Sequence, residues 1–366
     1  MLKKVKKICI FIAIFIISVY ATEYMLRYFH YEELEPNITM YDPSLILRVK
    51  PNLNYMHETS EYRVTIKTDS IGCRLSESPQ IENYASKIMF IGDSFTFGQG
   101  VEGSDTFPAL LEKMINKKEH RCKVKVLNCS APGWCTYQEL AFLDEFGFDL
   151  KPDLIALVIF MRNDFEENGR FKRCLNKGLL NGQNKKIRNI RKVNQSIISC
   201  ATLYNKYLPR DLRLTRVPNL LSQAMYRAFL LTVDADYFNS FDRSQNNTKR
   251  KETFENEMTI MAIKDFYNSA SKYKANIVFI LLDPSLDLNN KEDRRVMDQR
   301  DLLLEFFKNH EYPYIDLISE IKKSNSDLLG LPSFSVDRHL HPEGQRIIAD
   351  AIFNNDLFKK LAGINN

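Results

Sequence analysis

Leu154-Ile155-Ala156-Leu157-Val158-Ile159-Phe160 runs through seven consecutive positions without one polar side chain. Side chains of a strand alternate between its two faces, so this run has no face to offer water. Such a strand belongs inside a parallel sheet covered by helices on both sides. Shorter runs of the same kind stand at Lys87–Ile91, at Val124, Val126 and Leu127, at Asn276–Leu282 and at Tyr314–Leu317. Helical stretches separate them. Thr106 and Pro108 precede Ala109-Leu110-Leu111, and proline suits a first helical turn. Further helices are expected over Gln138–Phe146, about 252–273, about 295–309 and from Pro342 onward. This strand–helix alternation predicts a three-layer α/β/α domain, doubly wound around a mostly parallel sheet, over residues 86–356.

The alternation stops between Asp164 and about residue 250. That stretch is basic around Lys185, Lys186, Arg188, Arg191 and Lys192, and has a helical pattern at Leu220–Leu231. A structureless loop of such length does not suit a compact domain, so about 165–250 reads as a helical insertion. It could form a lid beside a site, or a solvated charged surface with no part in substrate choice. Residues 30–85 are polar and turn-rich, with strand-like pieces such as Tyr62–Ile66, and read as an extension packed beside the main domain.

Residues 1–29 form a basic leader. Lys3, Lys4, Lys6 and Lys7 precede an uncharged run from Ile8 to Thr22, the pattern of an export signal or membrane anchor. As a helix, about 15 residues reach roughly 22 Å, short of a hydrocarbon core of about 30 Å. That length, with Val19-Tyr20-Ala21 as a cleavage site, fits a removable signal. The continuation through Tyr24, Met25, Leu26, Tyr28 and Phe29 fits an uncleaved anchor, which is expected ahead of the removable signal. Either way the remainder is expected on the extracytoplasmic face, anchored or secreted.

Net charge is +5, and the leader accounts for much of it, which leaves no domain-wide basic stripe and no expectation of nucleic-acid binding. Six cysteines besides Cys9 could pair outside the cytoplasm, but their spacing names no framework. Cys129 and Cys135 are expected to pack as small hydrophobes. No metal-ligand spacing is visible, and no cofactor is called for.

Gly92-Asp93-Ser94 follows the first sheet strand, so Ser94 sits at a strand-to-helix turn on the carboxyl edge, where open α/β sheets place their sites. Three further blocks fall on the same edge or on C-terminal loops: Asn128-Cys129-Ser130-Ala131-Pro132-Gly133, Arg162-Asn163-Asp164 and Asp337-Arg338-His339-Leu340-His341-Pro342. A serine hydroxyl needs an imidazole to take its proton. The imidazole needs a carboxylate to fix its tautomer, and the oxyanion needs donors already in place. Ser94, His339 and Asp337 would supply the first three groups. The Ser94 and Gly133 N–H groups and the Asn163 amide would supply the donors. Asp93 and Asp164 read as structural hydrogen-bonding residues, and His30, His57, His120 and His310 as surface residues.

At these blocks the chain resembles the SGNH/GDSL hydrolase superfamily, which has a flavodoxin-like fold. Ser94 matches the first block, and Gly133, five residues after Asn128, matches the second. In the third, Asn163-Asp164 are kept while Met161 and Arg162 stand where the family has glycine. Asp337-x-His339 with Gly344 five residues on matches the last block. His341-Pro342 imitates an Asp-x-x-His-Pro form, but the residue three before it is Arg338, so His339 is preferred as the base. Tyr41–Leu45, Arg48–Asn52, Asp69–Arg74 and Asp105–Pro108 look like segments of membrane-anchored members, so the likeness covers most of 41–164 and 252–353. The resemblance implies an acyl-ester hydrolase on an extracytoplasmic carbohydrate or lipid ester. A polysaccharide O-acetyltransferase with the same triad, and a silent carbohydrate-binding or assembly protein, are the alternatives.

Overall fold

The computed structural model describes residues 38–76, 84–118, 123–176, 246–285 and 294–364, apart from Pro43 and Ser326, together with parts of 10–25. The chain divides into two compact units. One comprises residues 1–37 and 181–241, the other 38–180 and 242–366. In the first, the described residues between 10 and 25 are helical. The expected anchor falls partly outside the described residues, and among those described no helix is long and apolar enough to cross a membrane. The basic stretch at 185–192 and the pattern at 220–231 also lie outside them.

The second unit is built on five parallel strands in the order β6-β5-β7-β8-β9. They are β5 (Ser86–Ile91), β6 (Val124–Asn128), β7 (Leu154–Phe160), β8 (Asn276–Leu282) and β9 (Tyr314–Asp316). All seven residues of β7 are buried, because β7 has a neighbour on each edge and helices over each face. Alternation divides the core in two. Leu154, Ala156, Val158 and Phe160 join the helices Phe107–Lys118, Leu317–Ser324, Pro342–Asn354 and Asp356–Ala362 through Leu111, Ile318, Ile348 and Phe358. Ile155, Leu157 and Ile159 face the helices Thr136–Phe142, Asn246–Lys272 and Arg294–Asn309 through Phe142, Phe266 and Phe307. The result is the three-layer α/β/α sandwich expected. Leu157, fully buried between Phe-lined helices, should be a sensitive reporter of this packing. Leu157→Ala is expected to lower stability by about 2–5 kcal/mol, read as a lower urea midpoint with the same m-value.

Several element ends differ from the sequence pattern. The helix expected over 138–146 begins at Thr136 and is regular only to Phe142, after which Leu143–Gly147 forms a wider turn. Asp164–Asn176, assigned by pattern to the insertion, is a helix of this unit. It packs against Asn246–Lys272, whose start precedes the expected position 252. The first of these helices was hidden because its buried positions include the polar Asp164, Asn168 and Arg173. Tyr314–Asp316 ends before Leu317, which opens the next helix.

Residues 38–76 form two antiparallel hairpins: β1 (Thr39–Asp42) with β2 (Ile46–Val49), and β3 (Asn54–Glu58) with β4 (Arg63–Lys67). Ile38, Leu45, Val49 and Ile66 insert into the same core as Met89 and Ile91 of β5. Cys129 is not a lone packed thiol: it is bonded to Cys73, joining the extension to the loop after β6. Closing a loop between residues 56 apart restricts the unfolded chain, an effect of about 2–4 kcal/mol in typical domains. Cys135 is buried with its thiol free, as expected. His57 is not on the surface. It is 1% exposed, its ring set edge-on to Tyr62 at 5.2 Å.

Candidate active site

Ser94 opens a single helical turn, Ser94–Phe97, at the end of β5. Asp93 caps that turn, its Oδ1 accepting the Phe95 N–H at 2.9 Å. Gly92 is required by closeness: a Cβ there would lie 2.4 Å from Thr96 Oγ1. The turn is held from three sides. Gln345, fully buried, accepts the Phe107 N–H at 2.9 Å and donates to the Phe95 carbonyl at 3.3 Å. Asn128 Nδ2 donates to the Thr96 carbonyl at 2.8 Å. The Arg74 guanidinium, over the Phe97 ring, donates to the carbonyls of Phe97 and Gly98. These carbonyls end the turn without helical partners, and a cation there satisfies them.

His339 Nε2 stands 2.8 Å from Ser94 Oγ. Its Nδ1 is hydrogen-bonded to Asp337 Oδ1. The structure therefore brings together residues separated by 245 positions in the chain. Phe95 packs against the His339 ring at 4.9 Å and stacks on Phe160 at 4.1 Å, so the imidazole has an apolar wall on one side. Ser94 is 9% exposed. Arg338, between the acid and the histidine, adopts φ 66°, and its N–H closes a tight turn on the Phe334 carbonyl at 3.1 Å. That reversal puts Asp337 and His339 side by side. His341 stands apart from Ser94: it is the exposed N-cap of Pro342–Asn354. The His-Pro pair is thus a helix start, with proline in the first turn.

Asp337 has a second partner that sequence reasoning did not identify. The Tyr62 hydroxyl donates to Asp337 Oδ2. Next to it, Glu61 accepts the Asp337 N–H at 2.8 Å, the Ser335 N–H at 2.7 Å and the Ser335 hydroxyl at 2.6 Å. Both residues lie in the turn between β3 and β4, where the Thr59 hydroxyl accepts the N–H groups of Glu61 and Tyr62. Burial pushes the Asp337 carboxyl up. Hydrogen bonds from His339, Tyr62 and Gln99 and the His339 charge outweigh it, and the group is held below its ordinary range. Burial, then the bond to Asp337, pushes the Tyr62 phenol up, so it remains a proton donor.

The three expected oxyanion donors follow adjacent strands, at the carboxyl ends of β6, β5 and β7. The Ser94 N–H is in a first helical turn, where an N–H has no partner within the helix. Gly133 is exposed in the loop after β6 with φ 74°, and open space surrounds a hypothetical Cβ. Its need for glycine is therefore conformational. Asn163 is half-buried, and its side chain lies close enough to Asp93 to favour the ionised carboxyl. An amide has two N–H groups, so one can face Asp93 while the other meets a ligand oxygen. Arg162 beside it pairs with buried Asp283 at 2.7 Å.

Beneath the turn lie Asp93, Glu139 and Asp164, all fully buried. Burial first, with mutual repulsion, pushes Glu139 and Asp164 well up. Burial raises Asp93 to about 6 although the Phe95 N–H and the His339 charge oppose it. Asp164 Oδ2 accepts the Phe160 N–H at 2.9 Å, a structural bond at the end of β7. Among the described residues, no group of three or more His, Cys, Asp or Glu has the geometry to hold a metal ion.

An α/β/α sandwich with a Ser–His–Asp hydrogen-bonded series at the carboxyl edge of its sheet is the class of structure observed. No family model matches the chain, and no curated protein does. Similar solved structures include an α/β hydrolase from the metagenome of Lake Arreo, Spain, at 13% identity and TM-score 0.43, covering 78% of this chain and 98% of that one. An acetylxylan esterase from Geobacillus stearothermophilus has 13% identity and TM-score 0.42, covering 77% and 96%. A protein assigned to the lipolytic G-D-S-L family from Desulfitobacterium hafniense has 12% identity and TM-score 0.40, covering 73% and 98%.

Proposed function

We propose that this chain is a serine-dependent acyl-ester hydrolase. The reading rests on one observation: the two ring nitrogens of His339 face Ser94 Oγ and Asp337 Oδ1. A neutral imidazole in that position accepts the hydroxyl proton as Oγ attacks the ester carbonyl. The resulting imidazolium returns the proton to the departing alcohol, leaving an acyl group on Ser94. Water, deprotonated by the same ring, then releases the acid. Asp337 stays ionised throughout, holding the tautomer with Nδ1–H, which agrees with its lowered pKa. The Ser94 and Gly133 N–H groups and the Asn163 amide are proposed to receive the oxyanion. If a sugar hydroxyl replaces water, the same apparatus transfers the acyl group.

The proposed setting is extracytoplasmic, on a carbohydrate or lipid ester, with residues 1–29 as anchor or signal. The Cys73–Cys129 disulfide supports this location, because such bonds persist in oxidising compartments. The test is covalent: a fluorophosphonate probe should add to the protein stoichiometrically, and peptide mass mapping should locate the adduct on Ser94. An unmodified Ser94 under conditions that label another serine hydrolase would overturn the reading.

A further inference from the structure

We propose that Tyr62 is a positioning residue for the acyl-transfer chemistry, and that the β3–β4 turn is a working part of the active site. The inference rests on the reading of Ser94, His339 and Asp337 given above. Asp337 Oδ1 is bonded to His339, while Oδ2 receives the Tyr62 hydroxyl. A carboxylate fixed at one oxygen can still swing about its last torsion; one fixed at both cannot. The Tyr62 ring is itself immobilised, edge-on to His57 at 5.2 Å and against Phe334 at 4.9 Å. Glu61 completes the device by collecting the Ser335, Val336 and Asp337 N–H groups, which fixes the backbone that carries Asp337. The extension is held to the sheet domain by Cys73–Cys129 and by Arg74 beneath the Ser94 turn. Both ends of the Ser94–His339–Asp337 series are therefore braced by residues 61–74.

The hydroxyl also has an electrostatic consequence. The groups acting on Asp337 are His339 on its own loop, Tyr62 from the hairpin and the neutral Gln99 from the segment after Ser94. Glu61 acts on Tyr62, and Asp93 faces His339 from below. The Tyr62 O–H is one of the bonds that favour ionised Asp337. Without it, the Asp337 carboxylate bears its charge undivided against the imidazole, and a bare opposite charge favours the protonated ring, which cannot take the Ser94 proton. The acid limb of reactivity must then move to higher pH.

The rate constant for fluorophosphonate addition to Ser94, measured from acid to neutral pH, reads this without the natural ester. Tyr62→Phe keeps the ring contacts and removes one O–H. We expect labelling roughly 10- to 100-fold slower, an acid limb displaced upward and a melting temperature close to the wild type. Glu61→Gln keeps an acceptor oxygen and should slow labelling less, with the limb unmoved. Wild-type rate and limb in Tyr62→Phe would overturn the proposal. A slower rate with an unmoved limb would overturn it too, being the signature of loosened packing alone. Wild-type protein that takes no label at Ser94 would instead remove the nucleophile reading, and this proposal with it, so the two failures are distinguishable.

Discussion

Ser94→Ala is expected to reduce turnover of a simple aryl acetate by about 10⁴- to 10⁶-fold, with KM nearly unchanged. The loss is large because His339 and Asp337 act only through that oxygen. Without it, His339 has no proton to accept and no acyl-enzyme can form. What survives is the contribution of binding and of oxyanion donors to direct attack by water. The fold should not suffer. The side chain is small, and its hydrogen-bond partner, His339, is half-buried at the rim and can reach water. A melting temperature within a few degrees of the wild type, together with lost turnover, is the expected pair of results. Retained turnover in this variant would assign the activity to another residue.

The sheet was legible because each strand carries its own signal. Leu154–Phe160 and Ile277–Leu282 are apolar in both phases of the alternation, which suits only an interior strand. The polar blocks at their carboxyl ends could then be placed on one edge by topology alone. Hidden features depended on tertiary proximity. Glu61 and Tyr62 have no local register that distinguishes them from other hairpin residues, and their partners lie about 275 positions away. Cys73 and Cys129 could not be paired from sequence because seven cysteines allow many pairings and none is marked by spacing. His57 reads as an ordinary polar residue on a short strand. Yet it is 1% exposed, with Tyr55 and Tyr62 of its own hairpin against the ring. The buried Glu139 was equally silent, since a carboxylate on a short helix is normally solvated.

The two nearby histidines separate local likeness from geometry. His339→Ala should reduce ester turnover by about 10⁴- to 10⁶-fold, matching Ser94→Ala, because residues that act as one unit do not add. The double variant should therefore be no slower than either single one. His341→Ala should keep turnover within a few-fold of the wild type. Its ring lies edge-on to Phe334 at 5.4 Å, and its role is to begin the helix that carries Gln345. The Glu343 N–H reaches its ring at 3.5 Å, so the lost cap should cost about 0.5–1 kcal/mol of stability. An inactive His341→Ala beside an active His339→Ala would mean that the 335–341 loop rearranges before reaction and that Asp337 orients a different ring. Equal, severe losses in both variants with intact melting temperatures would make His341 a second participant. Only the first pattern, loss at 339 and retention at 341, agrees with a proton that moves between Ser94 Oγ and the nitrogen 2.8 Å away.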